Sequence, residues 1–194
     1  MSSHPTSELT SDDQTLLLKL ARQSIEHGLH YRRALEVNPR HYAPLMRELR
    51  ALFVTLRRDR QLRGCIGTLE ADKPLVANVA LYAYLSAFSD NRFPELTWEE
   101  FPDLDIQISI LSPTAPIAFT SEEDLLNQIR PGVDGLVLAA EGHRGTFLPS
   151  VWESIADKHE FWRQLKRKAG LPLDYWSSSI RVSRYTASCF SGKG

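Results

Sequence analysis

Cysteine is scarce: Cys65 and Cys189 are the only two in 194 residues, and nothing about their spacing suggests a metal site. A membrane run is missing as well, since no apolar stretch approaches the roughly 20 residues that a spanning helix needs. Met1 to Thr10 lacks the basic start and apolar core of a secretory signal. These absences together predict a cytoplasmic protein with free thiols and no membrane attachment. Excess charge is absent too. Lys and Arg number 23 against 24 Asp and Glu, a net −1, which argues against a protein held on nucleic acid by bulk electrostatics. No internal repeat is visible. What is present is an ordinary globular share of hydrophobic residues, 42%, enough for one domain or two small lobes.

The charge is unevenly placed. Phe93 to Ile129 has no Lys or Arg, yet carries Glu95, Glu99, Glu100, Asp103, Asp105, Glu122, Glu123 and Asp124. Arg47 to Arg63 holds six arginines against Glu48 and Asp59. Both stretches read as solvated faces, or the basic one as a wall suited to an anionic ligand.

Ser11-Asp12-Asp13-Gln14 has the pattern of a capping box, and Leu17, Leu20, Ala21 and Ile25 follow at helical spacing up to Gly28. Alternation over Leu49–Arg57 and an extended run over Leu62–Leu69 predict a hairpin around Asp59-Arg60-Gln61. Pro74 to Phe88 reads as a buried helix and Asp105 to Leu111 as a strand. Ser121 caps a helix that ends at Pro131-Gly132. Gly135–Ala140 and Arg144–Leu148 read as paired strands, and Pro149 opens a short helix. Asp157 caps a helix that stops at Gly170, with Phe161 and Leu165 as core and its basic residues as the wet face. Ile180 to Phe190 reads as one last strand. Hairpins and scattered helices without βαβ alternation predict an α+β domain with a mainly antiparallel sheet. It should span residues 10–190, as one body or two lobes, with a mobile tail over 1–9 and a short tail over 191–194.

The concentrated chemical signal is Arg63-Gly64-Cys65-Ile66-Gly67-Thr68. Glycine weakens a strand, so Gly64 and Gly67 need a bulge or a close approach by another chain or a ligand. Alternation places Arg63, Cys65 and Gly67 on one face, where a guanidinium would favour a thiolate. Cys65 is therefore a candidate nucleophile, a pocket wall, or a small core residue. Asp90-Asn91-Arg92-Phe93-Pro94 follows a helix; it is either a local Asp90–Arg92 ion pair or a loop presenting Arg92 to an anion. His143, beside Arg144 in a tight turn, is a candidate general base or a solvated hairpin tip. His27 and His30 lack enough partners for a zinc site, so no metal and no cofactor is expected.

These motifs resemble the AMMECR-type domain, named for the Alport syndrome, midface hypoplasia and elliptocytosis chromosomal region. Its bacterial and archaeal members are called AmmeMemoRadiSam system protein A. The resemblance runs through Leu62-Arg63-Gly64-Cys65-Ile66-Gly67-Thr68, Asp90-Asn91-Arg92-Phe93-Pro94-Glu95-Leu96 and Ile108-Ser109-Ile110-Leu111-Ser112-Pro113. It continues in Arg144-Gly145-Thr146-Phe147-Leu148-Pro149-Ser150-Val151-Trp152 and Lys168-Ala169-Gly170-Leu171-Pro172, so it covers roughly Leu16 to Phe190. It implies an α+β fold with a larger and a smaller lobe and a cleft. It also implies partnership with a Memo-type protein and a radical S-adenosylmethionine enzyme. That enzyme would hold the iron–sulfur cluster, for which this chain lacks the cysteines.

Two functions compete. One is a cleft protein that binds or transforms a small anionic ligand with Arg63, Cys65 and Arg92, with His143 and Arg144 at the rim. The other is a non-catalytic module that binds protein or, less in keeping with the net charge, RNA.

Overall fold

The computed structural model describes residues 9–194. Residues 1–8 of the expected N-terminal tail lie outside the described residues. The described residues fold as two compact units, the first running to Leu111 and including Ser188–Gly194, the second Ser112–Ala187. The fold is α+β, with four α-helices and two four-stranded sheets among the described residues. No helix among them is long and apolar enough to cross a membrane.

In the first unit α1 (Ser11–Tyr31) is capped by Thr10, one residue before the expected box. Thr10 Oγ1 accepts the Asp13 N–H at 3.2 Å, and Asp13 accepts the Thr10 N–H at 2.9 Å, so two orphan donors are satisfied reciprocally. The helix does not stop at Gly28. It runs on to Arg32, which ends it at φ 59°. A side chain at Gly28 would collide with Tyr84 and Phe88 of α2 (Leu75–Phe88), so this glycine serves helix–helix approach rather than termination.

β1 (Leu52–Arg58) and β2 (Gln61–Thr68) form the expected hairpin. Its two turn residues, Asp59 and Arg60, both have positive φ, 51° and 65°, the twist that a two-residue hairpin demands. β3 (Asp105–Leu111) and β8 (Ala187–Gly192) complete the sheet in the order β2-β1-β3-β8. One face carries Leu52, Val54, Leu56, Ile106 and Ile108, all buried in one core with α1 and α2. β8 extends to Gly192, and Lys193 O accepts from Arg22, so the C-terminal residues are tied to α1.

The closest join in this unit lies where the last turns of α2 meet β2. Ser86, 1% exposed, donates to Val54 O at 2.8 Å and accepts from Ile66 N–H at 2.9 Å. Its hydroxyl thus bridges the two paired residues of the hairpin. A Cβ at Gly64 would run into the Ser86 carbonyl oxygen, and one at Gly67 would meet Phe53 and the Leu52 carbonyl. Both strand glycines are accounted for by close approach of the chain itself.

The second unit holds β4 (Ala115–Pro116), β5 (Gly135–Ala140), β6 (His143–Phe147) and β7 (Arg181–Tyr185) in the order β4-β7-β5-β6. The expected last strand is in fact two. It breaks at Thr186, with β7 in this sheet and β8 in the other. α3 (Glu122–Gln128) is capped by Ser121 and ends before Pro131, while α4 (Lys158–Lys168) is capped by Asp157. α4 buries Phe161 and Leu165 as its period predicts, but also Trp162 and Lys166. Lys166, assigned to the wet face from sequence, is buried because Glu122 pairs with it.

Ser86→Ala leaves a buried carbonyl and N–H unpaired and should cost about 1–3 kcal/mol. Gly64→Ala forces α2 off the sheet and should cost about 3 kcal/mol as overpacking against backbone. Urea unfolding of both variants measures this. Neutral behaviour of Gly64→Ala would show that the α2–β2 approach is not obligatory.

Candidate functional site

The β1–β2 ladder shifts register between Leu56, which pairs with Gly64, and Arg57, which pairs with Leu62. Arg63 is the extra residue of a β-bulge, and bulges re-aim side chains. Simple alternation, which placed Arg63 beside Cys65, is broken at this residue. The Arg63 side chain runs to the loop after α2. Nε and Nη2 donate to Glu100 Oε1 and Oε2 at 2.7 and 2.9 Å, and Nη2 also donates to Pro94 O at 3.0 Å. Arg63 is 8% exposed, so its charge is committed to a buried two-pronged ion pair. Arg63 and Glu100 hold the loop onto the strand, and Glu100 is the member that the sequence did not single out.

Asp90 does the same work one step closer to Cys65. Its Oδ2 accepts the Cys65 N–H at 2.8 Å, on the edge strand of the sheet. Arg92 donates to Asp90 through Nε at 2.9 Å and Nη2 at 2.7 Å. Arg92 Nη2 also reaches Cys65 O at 3.4 Å. The local ion pair is therefore formed, but asymmetrically: the Asp90 side chain is 6% exposed and that of Arg92 58%. Nε and Nη2 are occupied, while Nη1 has no partner among the described residues. Arg92 is pinned at one edge and open at the other.

Cys65 is half-buried, with its Sγ 3.2 Å from Thr55 Oγ1 on β1. Cys189 lies 3.2 Å from Ser109 Oγ on β3. The two cysteines occupy opposite edge strands of one sheet, three strand spacings or about 14 Å apart, so no disulfide can join them without rearrangement.

The structure brings together Arg63, Gly64, Cys65, Gly67, Asp90 and Arg92, with both guanidinium groups beside the Phe93 ring at 5.8 and 5.5 Å. His143 and Arg144 belong to the second unit. His143 Nδ1 lies 3.1 Å from Ala169 O, just past α4. A carbonyl only accepts, so Nδ1 carries the proton there and Nε2 is the atom left for other chemistry. Arg144 is exposed on β6. His27 and His30 pack on the Tyr31 ring, and no group of three or more metal-ligating side chains occurs among the described residues.

The AMMECR1 family pattern matches residues 18–190. The chain belongs to the AMMECR1 family. It is similar to a protein of Methanothermobacter thermautotrophicus, 37% identical over 188 residues, which are 96% of this chain and 97% of that one. A protein of Thermococcus gammatolerans is 38% identical over 181 residues, covering 90% and 87%. The crystal structure of the uncharacterized protein PH0010 from Pyrococcus horikoshii is 35% identical, with a TM-score of 0.83 over 91% of this chain and 89% of that one.

Both carboxylates of the cluster are held well below the ordinary carboxylate range. Hydrogen bonds from Arg63 pull Glu100 down to about 2 against the opposing effect of burial, and the Thr97 N–H adds to this. Arg92 pulls Asp90 down to about 2 in the same way, helped by the Cys65 N–H. A carboxylate depressed in the folded state stabilises above its ordinary pKa, and that stability is lost as pH falls through the folded value. Stability should therefore drop between about pH 4.5 and about 2. Glu100→Gln should be less stable at neutral pH and should show a shallower loss over that interval. Urea midpoints at a series of pH values measure the slope. An unchanged slope would show that the Arg63–Glu100 pair is not linked to folding.

Proposed function

We propose that this chain binds a small anionic ligand at the Arg92–Cys65 edge of its first unit, with the Cys65 thiol as the reactive group. The observation that carries this is the half-open guanidinium of Arg92, locked in place by buried Asp90 beside a partly exposed thiol. A planar donor fixed on one side and free on the other suits a carboxylate or phosphate oxygen without further ordering cost. Arg63 contributes by fixing the strand, since its own donors are taken by Glu100 and Pro94. His143 Nε2 and Arg144 belong to the second unit and remain candidates there for proton transfer and ligand contact. The setting is cytoplasmic, where both thiols stay reduced. The resemblance to AmmeMemoRadiSam proteins adds a Memo-type protein and a radical S-adenosylmethionine enzyme as proposed partners in a shared modification pathway.

The basic stretch of α4 offers little to the alternative RNA module, since Lys166 is buried and Lys168 lies over the Phe147 ring at 5.0 Å.

Alkylation by iodoacetate and by iodoacetamide separates anion attraction from plain accessibility. At Cys65 the charged reagent should be favoured about three- to tenfold relative to its preference at Cys189, the effect of one nearby charge at intermediate dielectric. Arg92→Gln should abolish that preference without slowing iodoacetamide. Equal reagent ratios at the two cysteines, unmoved by Arg92→Gln, would sink the anion site. For the partners, the three purified proteins of one genome should co-elute on size exclusion, and separate elution would remove that part of the proposal.

A further inference from the structure

The second unit has a cavity of about 400 Å³ that the proposed Cys65 site does not use. Its walls come from a few short stretches. His159, Trp162, Arg163 and Lys166 fall at helical spacing on one face of α4, Glu122 and Leu126 face them from α3, and Leu173 with Asp174 closes the end. The volume is within the range of small-ligand sites, about 300–1,000 Å³.

Its floor is chemically unusual. Leu126, Trp162 and Lys166 are buried, and the Lys166 side chain is 2% exposed. Lysine is almost never buried unless paired, because desolvation penalises the ammonium. Here Nζ donates to Glu122 Oε1 at 2.8 Å and to Tyr175 O at 3.3 Å. Trp162 Nε1 donates to the same Oε1 at 2.6 Å, and the Trp162 ring lies 5.6 Å from Nζ. An ammonium has three N–H donors. The third has no oxygen or nitrogen partner among the described residues. The ion pair to Glu122 ties α4 to α3 and alone would be structural. The lined space beside it and the spare donor are what ask for a ligand.

The walls define which ligand. Arg163 and His159 stand at the rim above Lys166 and suit one anionic group; the only ion pair of Arg163 among the described residues, with Glu160 at 3.5 Å, is exposed and can be re-aimed. Glu122 and Asp174 share the wall, so a polyanion would be repelled. Leu173 presents most of the open apolar surface, over the buried Trp162 and Leu126. We propose that this cavity binds a small monocarboxylate with an apolar or aromatic body, its carboxylate directed to Lys166 and Arg163 and its body to Trp162, Leu126 and Leu173.

The test is a titration of the isotope-labelled full chain with phenylacetate, followed by amide shifts. Saturable shifts at Leu126, Trp162, Lys166 and Leu173 are expected in the millimolar range or below. Phenylacetamide, the neutral analogue, should bind at least tenfold more weakly, and Arg163→Gln should weaken phenylacetate severalfold. Leu173→Trp fills the cavity from a partly exposed position and should abolish binding while leaving the rest of the spectrum unchanged. Lys166→Met should also lose binding; if it does not fold, Leu173→Trp decides. Absence of saturation would overturn the site. Equal binding of phenylacetamide would overturn the role of the ammonium, and equal binding of inorganic phosphate would overturn the apolar body. Unchanged affinity in Leu173→Trp would place the ligand elsewhere and overturn the proposal.

Discussion

The backbone of α2 lies against the backbone of β2 at Gly64, and the first unit depends on that approach. Only glycine leaves room for the Ser86 carbonyl, and only then can the Ser86 hydroxyl reach Val54 O and Ile66 N–H. Asp90 follows Ser86 by four residues, so the same approach delivers its carboxylate to the Cys65 N–H. Arg92 follows by two more and is held by that carboxylate. The strand glycine, the buried serine and the exposed arginine are one mechanical chain. Displacing α2 would loosen the hairpin edge and the Arg92 guanidinium together.

Charge completes what packing begins. The arginine-rich stretch and the acidic stretch look like two separate faces in the sequence, but several of their members are partners. Arg63 takes Glu100 at 2.7 Å, while Arg58 lies 3.7 Å from Glu100 and 3.9 Å from Asp103. Glu122, from the same acidic stretch, takes Lys166 in the second unit. A buried pair gains little over an apolar one, but removing one partner strands a charge. Arg63 and Glu100 are therefore under joint constraint, and the donors of Arg63 are not available to a ligand.

Regular periodicity was enough to locate most elements, because an apolar stripe at spacing 3.6 or 2 reports burial on one side. It failed where tertiary contacts overruled local signals. Gly28 looks like a helix stop and is instead a contact for Tyr84 and Phe88. The stretch from Ile180 to Phe190 reads as one strand, yet it is shared between two sheets. Lys166 looks like a solvated residue until Glu122, 44 positions away, is brought beside it.

The sequence by itself determined the α+β class, the hairpin bearing Cys65, the α2 helix behind it and the family, since these rest on local pattern and on motif order. It also placed Asp90 and Arg92 together, two residues apart on a turn. Tertiary structure alone decided that Arg63 is a bulged, buried partner of Glu100. The physical reason is that a bulge adds one residue to a strand without any local mark, and which carboxylate meets the redirected arginine depends on a loop 37 residues on. The same holds for the Lys166 cavity, which exists only because α3, α4 and the Leu173 segment pack around one ion pair.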